Sequence, residues 1–187
     1  AVEERYRFYS FGDAMLVLLD SSLTGGAVGN SATHTWIENN TPNTLVLKSL
    51  KLDNQPAMLA YVSGAQGTGK VFVEDVVAAR WNFANGQKVW ARQLNSEASN
   101  SGTNVINDGA MVWIQGLKTE YGRTNTDTHN GGKTELLGGL FYPASQTVPD
   151  WPSHIITDAQ GSFTYHENGT RVRWVTDNAT GYVMLRA

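Results

Sequence analysis

Gly86-Gln87-Lys88-Val89-Trp90-Ala91-Arg92-Gln93-Leu94 is echoed downstream by Gly109-Ala110-Met111-Val112-Trp113-Ile114-Gln115-Gly116-Leu117. The step from Gly86 to Gly109, taken once more, reaches Gly132-Lys133-Thr134-Glu135-Leu136-Leu137-Gly138-Gly139-Leu140. The opening glycine and closing leucine recur in all three stretches, and the Val-Trp pair in two. Upstream, Lys70 to Val76 and Thr44 to Leu50 are looser copies, the first set closer to its successor and the second farther from it. A mean step near two dozen residues that carries a short β-rich core is the pattern of a stacked solenoid.

Columns read across these copies predict what each position does. Leu50, Val76, Leu94, Leu117 and Leu140 form a closing apolar column expected to face the interior. Three positions earlier, Leu47, Val73, Ala91, Ile114 and Leu137 form a second. Between them Ser49, Asp75, Gln93, Gly116 and Gly139 are small or polar, as a corner requires. Parallel strands one turn apart lie about 4.8 Å from each other, so each column becomes a ladder of stacked side chains.

The rest of the composition agrees with a single β-rich domain. The 187 residues are 41% hydrophobic, with a net charge of −3 and only short basic stretches, which gives no footprint for nucleic acid. There is no cysteine, which excludes thiol catalysis, disulfide scaffolds and cysteine zinc sites. The longest greasy run, Ala14 to Leu19, is too short to span a bilayer as a helix, so no membrane insertion is expected. Residues 1–43 resist the register and read as an irregular N-terminal coil or cap. Regular rungs occupy 44–143, within a β-helix domain over 1–148. Pro149, Trp151 and Pro152 then interrupt, and Asn-Gly turns between alternating segments predict an antiparallel C-terminal cap over 149–187 of the same structural unit.

Two sets of residues carry candidate chemistry. Val46, Phe72, Trp90, Trp113 and Leu136 form one column, and strand alternation puts it on the face opposite the Val/Ala/Ile column. Facing out, Phe72, Trp90 and Trp113 would be a glycan-binding platform; facing in, they are core, and Glu135 opposite three valines blurs the choice. The second set is a carboxylate column of Asp53, Glu97 and Glu120 with Lys118 near it. Stacked glutamates can serve acid–base chemistry or hold Ca²⁺, the one metal the pattern admits. With Lys118 and Arg92 they form the candidate catalytic set if the chain is an enzyme. The bland alternative is a surface ladder neutralised by its own cations, and Glu74 with Arg92 reads as an inter-rung ion pair. The four histidines share no metal-ligand spacing. Gly64 to Lys70 fails as a phosphate loop, because Val71 follows the lysine and a strand follows where a helix should.

The stretches KVFVEDVV (70–77), NGQKVWARQLNSE (85–97), MVWIQGLKTE (111–120) and GGKTELLGGLFYP (131–143) resemble rungs of the pectate-lyase-like superfamily of right-handed parallel β-helices, closest to its glycoside-hydrolase-28-related type. The resemblance implies an all-β, right-handed parallel β-helix (β-solenoid), exported to the cell surface or beyond and concerned with polysaccharide. It also implies the C-terminal portion of a longer β-helix. The lyase element V-W-I-D-H is matched by Val112-Trp113-Ile114-Gln115-Gly116, which lacks its Asp and His. Of the polygalacturonase patterns only Asn125-Thr126-Asp127 matches, by letters alone. The expectation is therefore a β-helix module that binds polysaccharide or serves as a cell-surface scaffold. The alternatives are a polysaccharide lyase or glycoside hydrolase acting through stacked carboxylates, and a self-associating filament or surface-layer subunit.

Overall fold

The computed structural model describes residues 15–23, 35–52, 59–97, 102–120, 124–142, 152–167, 175–178 and 183–186. They form strands throughout, and no helix among them is long and apolar enough to cross a membrane. The strands are β1 (Met15–Leu23), β2 (Thr35–Asn39), β3 (Thr44–Leu52), β4 (Leu59–Ser63) and β5 (Val71–Ala78). Next come β6 (Arg80–Ala84), β7 (Lys88–Ser96), β8 (Val105–Asp108), β9 (Met111–Glu120) and β10 (Thr126–His129). The last five are β11 (Lys133–Tyr142), β12 (His154–Thr157), β13 (Gln160–Glu167), β14 (Val175–Asn178) and β15 (Val183–Arg186).

Odd-numbered strands stack in order into an eight-stranded sheet and even-numbered strands into a seven-stranded one, all pairs parallel. Each turn of chain thus contributes one strand to each sheet, which is the parallel β-solenoid the columns predicted. Between the sheets lies the core. Leu45, Leu47, Leu50 and Leu52 of β3, and their counterparts on later turns, face Tyr61, Trp81, Phe83 and Val105 across it. Tyr61, Trp81 and Phe83 pack with ring centroids 5.2–6.2 Å apart.

The bend is fixed by backbone conformation. Asp20, Ser49, Asp75, Gln93, Gly116 and Gly138 align on successive strands of the larger sheet, and every one has φ between 48° and 80°. A left-handed residue turns each strand through a corner and separates a first arm from a second. Glycine takes this conformation without a Cβ penalty, and Asp with more ease than most.

Three expectations need correction. The step from β9 to β11 is one position shorter than letter matching suggests, because Lys133 pairs with Met111 and Leu136 with Ile114. Matching the opening glycine and closing leucine had placed the third copy one position out. Leu136 is therefore the buried member of the Ile114 column and Leu137 is 49% exposed. Gly138 takes the corner in place of Gly139, Gly139 pairs with Leu117, and Leu140 is exposed beside Lys118. Glu135 stands next to Trp113, not opposite the valines; Thr134 is the buried partner of Val112.

The antiparallel C-terminal cap is the second correction. β12 and β14 extend the smaller sheet in parallel, and β13 and β15 the larger. The Asn168-Gly169 pair that prompted the cap lies outside the described residues, but Asn-Gly elsewhere in this chain makes corners between sheets. Asn85-Gly86 and Asn130-Gly131 both have positive φ and carry the chain from one sheet to the other, so no hairpin forms there. Third, the N-terminal region is regular where described: β1 pairs with β3 from Met15↔Thr44 to Leu23↔Leu52, and β2 pairs with β4.

Buried polar residues complete the interior, held by hydrogen bonds. Asn39 Nδ2 donates to Tyr61 Oη at 3.0 Å and Gln87 Nε2 to the same oxygen at 2.9 Å. Asn107 Nδ2 donates to Thr134 Oγ1 at 2.9 Å, and Ala110 N to Asn107 Oδ1 at 2.8 Å. Such groups are tolerated inside only when paired. Asn39-Asn40-Thr41 matches the Asn-x-Thr glycosylation pattern, but Asn39 is buried and its amide is kept from solvent.

Candidate functional site

On the first arm of the larger sheet, residues alternate strictly in and out. Val71, Val73, Val89, Ala91, Val112 and Ile114 are buried, which turns Phe72, Trp90 and Trp113 outward. Of the two alternatives, the aromatic column therefore faces solvent: Phe72 is 39% and Trp90 36% exposed, with Trp113 half-buried. Phe72 pairs with Trp90 and Trp90 with Trp113 in register. Their ring planes lie 11° and 10° apart, with centroids at 5.0 and 5.3 Å.

That geometry settles what the stack presents. Parallel rings in contact sit about 3.5–4.0 Å apart along their normal, so centroids at about 5 Å require a sideways offset. The rings stack on one another and are not laid side by side in one plane. Solvent meets ring margins and part of each face. An open cleft of about 390 Å³ runs along them, bordered by Val46, Lys48, Glu74, Arg92, Gln115 and Leu137. A second, of about 220 Å³, lies beside Trp113 among Lys133, Glu135, Gln160 and Ser162.

Lys48, Glu74, Arg92 and Gln115 are in-register neighbours on the outer side of the aromatic column. The expected ion pair is present, with Arg92 Nη2 to Glu74 Oε1 at 2.5 Å and Lys48 Nζ at 3.5 Å from the same oxygen. The hydrogen bond from Arg92 holds the Glu74 carboxyl below its ordinary range, against a smaller opposing effect of desolvation.

A column on the inner side escaped the sequence reading. Lys70 precedes Val71 as Lys88 precedes Val89; Lys88 pairs with Met111 and Met111 with Lys133. All three lysines are exposed. The signal was available, since each stands two positions before the aromatic column or its Glu135 continuation. It was missed because the third copy was read one position out.

The carboxylate set lies on the second arm, beyond the bend. Lys118 Nζ donates to Glu97 Oε1 at 2.5 Å and to Glu120 Oε1, and Asn95 Nδ2 donates to Glu97 Oε1 at 2.9 Å. Lys118, Glu97 and Glu120 are thus brought together as the columns suggested. Arg92 is not among them: it stands before the bend at Gln93 and is engaged by Glu74. Asp53 lies outside the described residues. Burial would lower the Lys118 pKa, but hydrogen bonds and charge from Glu120 and Glu97 outweigh it and raise the ammonium above its ordinary range.

Chemically this favours a closed ion cluster. A general acid needs a carboxyl available to a substrate, and here both carboxylates accept hydrogen bonds from the one Lys118 ammonium. A lysine base must be neutral, which a raised pKa opposes. Among the described residues no group of three or more His, Asp or Glu side chains is arranged to hold a metal ion, so the possible calcium site gains no ligand set there. His129 lies 3.5 Å from Asp108 and 3.4 Å from Asp127, and His154 is buried against Thr126.

The glycine-rich segment rejected as a phosphate loop has a packing role. A Cβ on Gly67 would fall 2.1 Å from the Asn39 carbonyl oxygen, and one on Gly69 1.9 Å from that of Asn43. The segment leads straight into β5. Compared with protein-family models, with curated proteins and with solved structures, the chain gives no match.

Proposed function

We propose that this chain is an exported β-helix module that binds an extended polysaccharide along the first arm of its larger sheet. The observation that carries this reading is the outward, in-register stack of Phe72, Trp90 and Trp113, bordered by polar and charged columns along a continuous cleft. An open row of aromatic and hydrogen-bonding side chains suits a linear polymer better than a compact ligand, which needs an enclosing pocket. Export and a cell-surface setting follow from the sequence resemblance alone and belong to the same proposal.

The enzyme reading has less support. Its four residues divide between two arms, and in the three that meet one ammonium is engaged by both carboxylates. The test is affinity electrophoresis of the whole chain through gels containing neutral and acidic polysaccharides, with Trp90→Ala and Trp113→Ala alongside. Retardation by at least one polymer, weakened about tenfold by Trp90→Ala, is the expected result. Undiminished retardation of both variants would remove the stack from any binding role.

A further inference from the structure

We infer that the polymer which fits this face carries closely spaced sulfate esters; the inference rests on the polysaccharide-binding reading above. Across the first arms of β3 to β11, five cations, Lys48, Lys70, Lys88, Arg92 and Lys133, stand against two carboxylates, Glu74 and Glu135. Asp75 lies past this face, in the bend. This excess of positive charge on one face occurs in a chain whose net charge is −3. A local cationic field of this kind attracts an anionic partner whatever the sign of the whole protein.

The arrangement also narrows the anion. Arginine's planar fork is the group that matches a carboxylate with two parallel hydrogen bonds. The one arginine here, Arg92, is committed to Glu74 at 2.5 Å. The exposed inner column is made of lysines, compact point charges with freely rotating donors. These suit a group whose charge is spread over several equivalent oxygens. The ring stack adds contact area for the sugar rings between the charged columns, and the lysines carry the choice of anion. Lys70 and Lys88 are neighbours one strand apart, about 4.8 Å along the coil, and Lys133 continues the column two strands beyond. A chain with an anionic group on nearly every sugar can meet each of them in turn.

Binding to dextran, dextran sulfate and polygalacturonate is compared by affinity electrophoresis at several salt concentrations. Dextran sulfate is expected to bind, with affinity falling steeply as salt rises. Lys88→Gln should weaken it about fivefold and the Lys70→Gln/Lys88→Gln/Lys133→Gln variant at least tenfold. Lys51→Gln, an exposed lysine on the second arm, should change it less than twofold. These lysines are exposed, and an unchanged melting temperature confirms that the fold is kept. Polygalacturonate binding as tightly as dextran sulfate, or a Lys51→Gln effect equal to that of Lys88→Gln, overturns the sulfate inference. Retardation by a neutral glycan that Trp90→Ala abolishes also overturns it while leaving the polysaccharide reading intact. Failure of every neutral and acidic polymer to bind defeats both.

Discussion

Leu136 and Leu137 are neighbours in the chain with opposite surroundings: Leu136 is wholly buried beside Ile114, and Leu137 stands outward beside Gln115, 49% exposed. A slip of one position in a strand exchanges inside for outside along a whole arm, so this pair tests the register of the coil directly. Leu136→Ala should cost about 2–5 kcal/mol of unfolding free energy. Leu137→Ala should cost no more than about 0.5 kcal/mol. Urea denaturation of the two variants checks this; equal costs would mean the pairing of β9 with β11 is wrong.

Trp90 touches a ring on each side, while Trp113 is stacked on Trp90. Each such pair is worth about 0.5–1.5 kcal/mol beyond area burial. Trp90→Ala should therefore lower stability by about 1–3 kcal/mol. Phe72→Ala should lower it by less, since Phe72 loses its contact with Trp90 alone. A double-mutant cycle on Phe72 and Trp90 isolates the pair, and a coupling energy of zero would show that the stack contributes nothing to the fold.

Two ion clusters give stability opposite dependences on pH. Lys118 has its pKa raised above 10.5 in the folded chain, so its contribution is complete below 10.5 and disappears as pH climbs through the raised value. Glu74 has its pKa lowered below 4.5, so its contribution is complete above 4.5 and fades as pH falls through the lowered value. Because the Glu74 side chain is only partly buried and open to water, its acid effect should be slight. Melting temperatures recorded across the alkaline range should fall less steeply for Glu97→Gln and Glu120→Gln than for the parent chain. Parallel curves would sink the assignment.

Gly69→Ala should be severely destabilising, because its Cβ would overlap the Asn43 backbone oxygen at 1.9 Å. Backbone on both sides must move, at a cost of about 3 kcal/mol or more by comparison with ordinary overpacking. Gly86→Ala meets no neighbouring atom and is penalised only for its φ of 69°, about 1 kcal/mol. Thermal unfolding of the two variants should rank them in that order.

Most of the coil could be read from columns of residues. Leu47, Val73, Ala91 and Ile114, and Leu50, Val76, Leu94 and Leu117, occupy the positions their alternation demanded, because a strand with one face inside leaves its period in the sequence. The parallel pairing of the terminal strands was illegible for a physical reason. The same Asn-Gly pair can close a hairpin or round a solenoid corner, and only the partner strand decides which. The candidate site was half legible. Glu97, Lys118 and Glu120 are close in space because they are close in register. The bend that removes Arg92 from them falls at Gln93, a member of the corner column already legible in the sequence, and joining Arg92 to the carboxylates meant reading across that corner. Whether Phe72, Trp90 and Trp113 faced in or out turned on the position of Glu135, and that position was one step from where letter matching put it.

The corner formed by Asp20, Ser49, Asp75, Gln93, Gly116 and Gly138 divides every strand of β1 to β11 in the larger sheet into two panels whose orientation is set by main-chain geometry. Side chains on one panel can be exchanged without turning the other. The chain between strands varies too: the path from Leu18 to Leu47 is the longest step in its column from β1 to β11 and that from Val73 to Ala91 the shortest, yet all members through Leu136 remain in line. The molecule therefore behaves as a grid with two independent coordinates, turn number and position along the arm. A recognition surface can be rewritten cell by cell, or lengthened by a whole turn, while its neighbours keep their addresses.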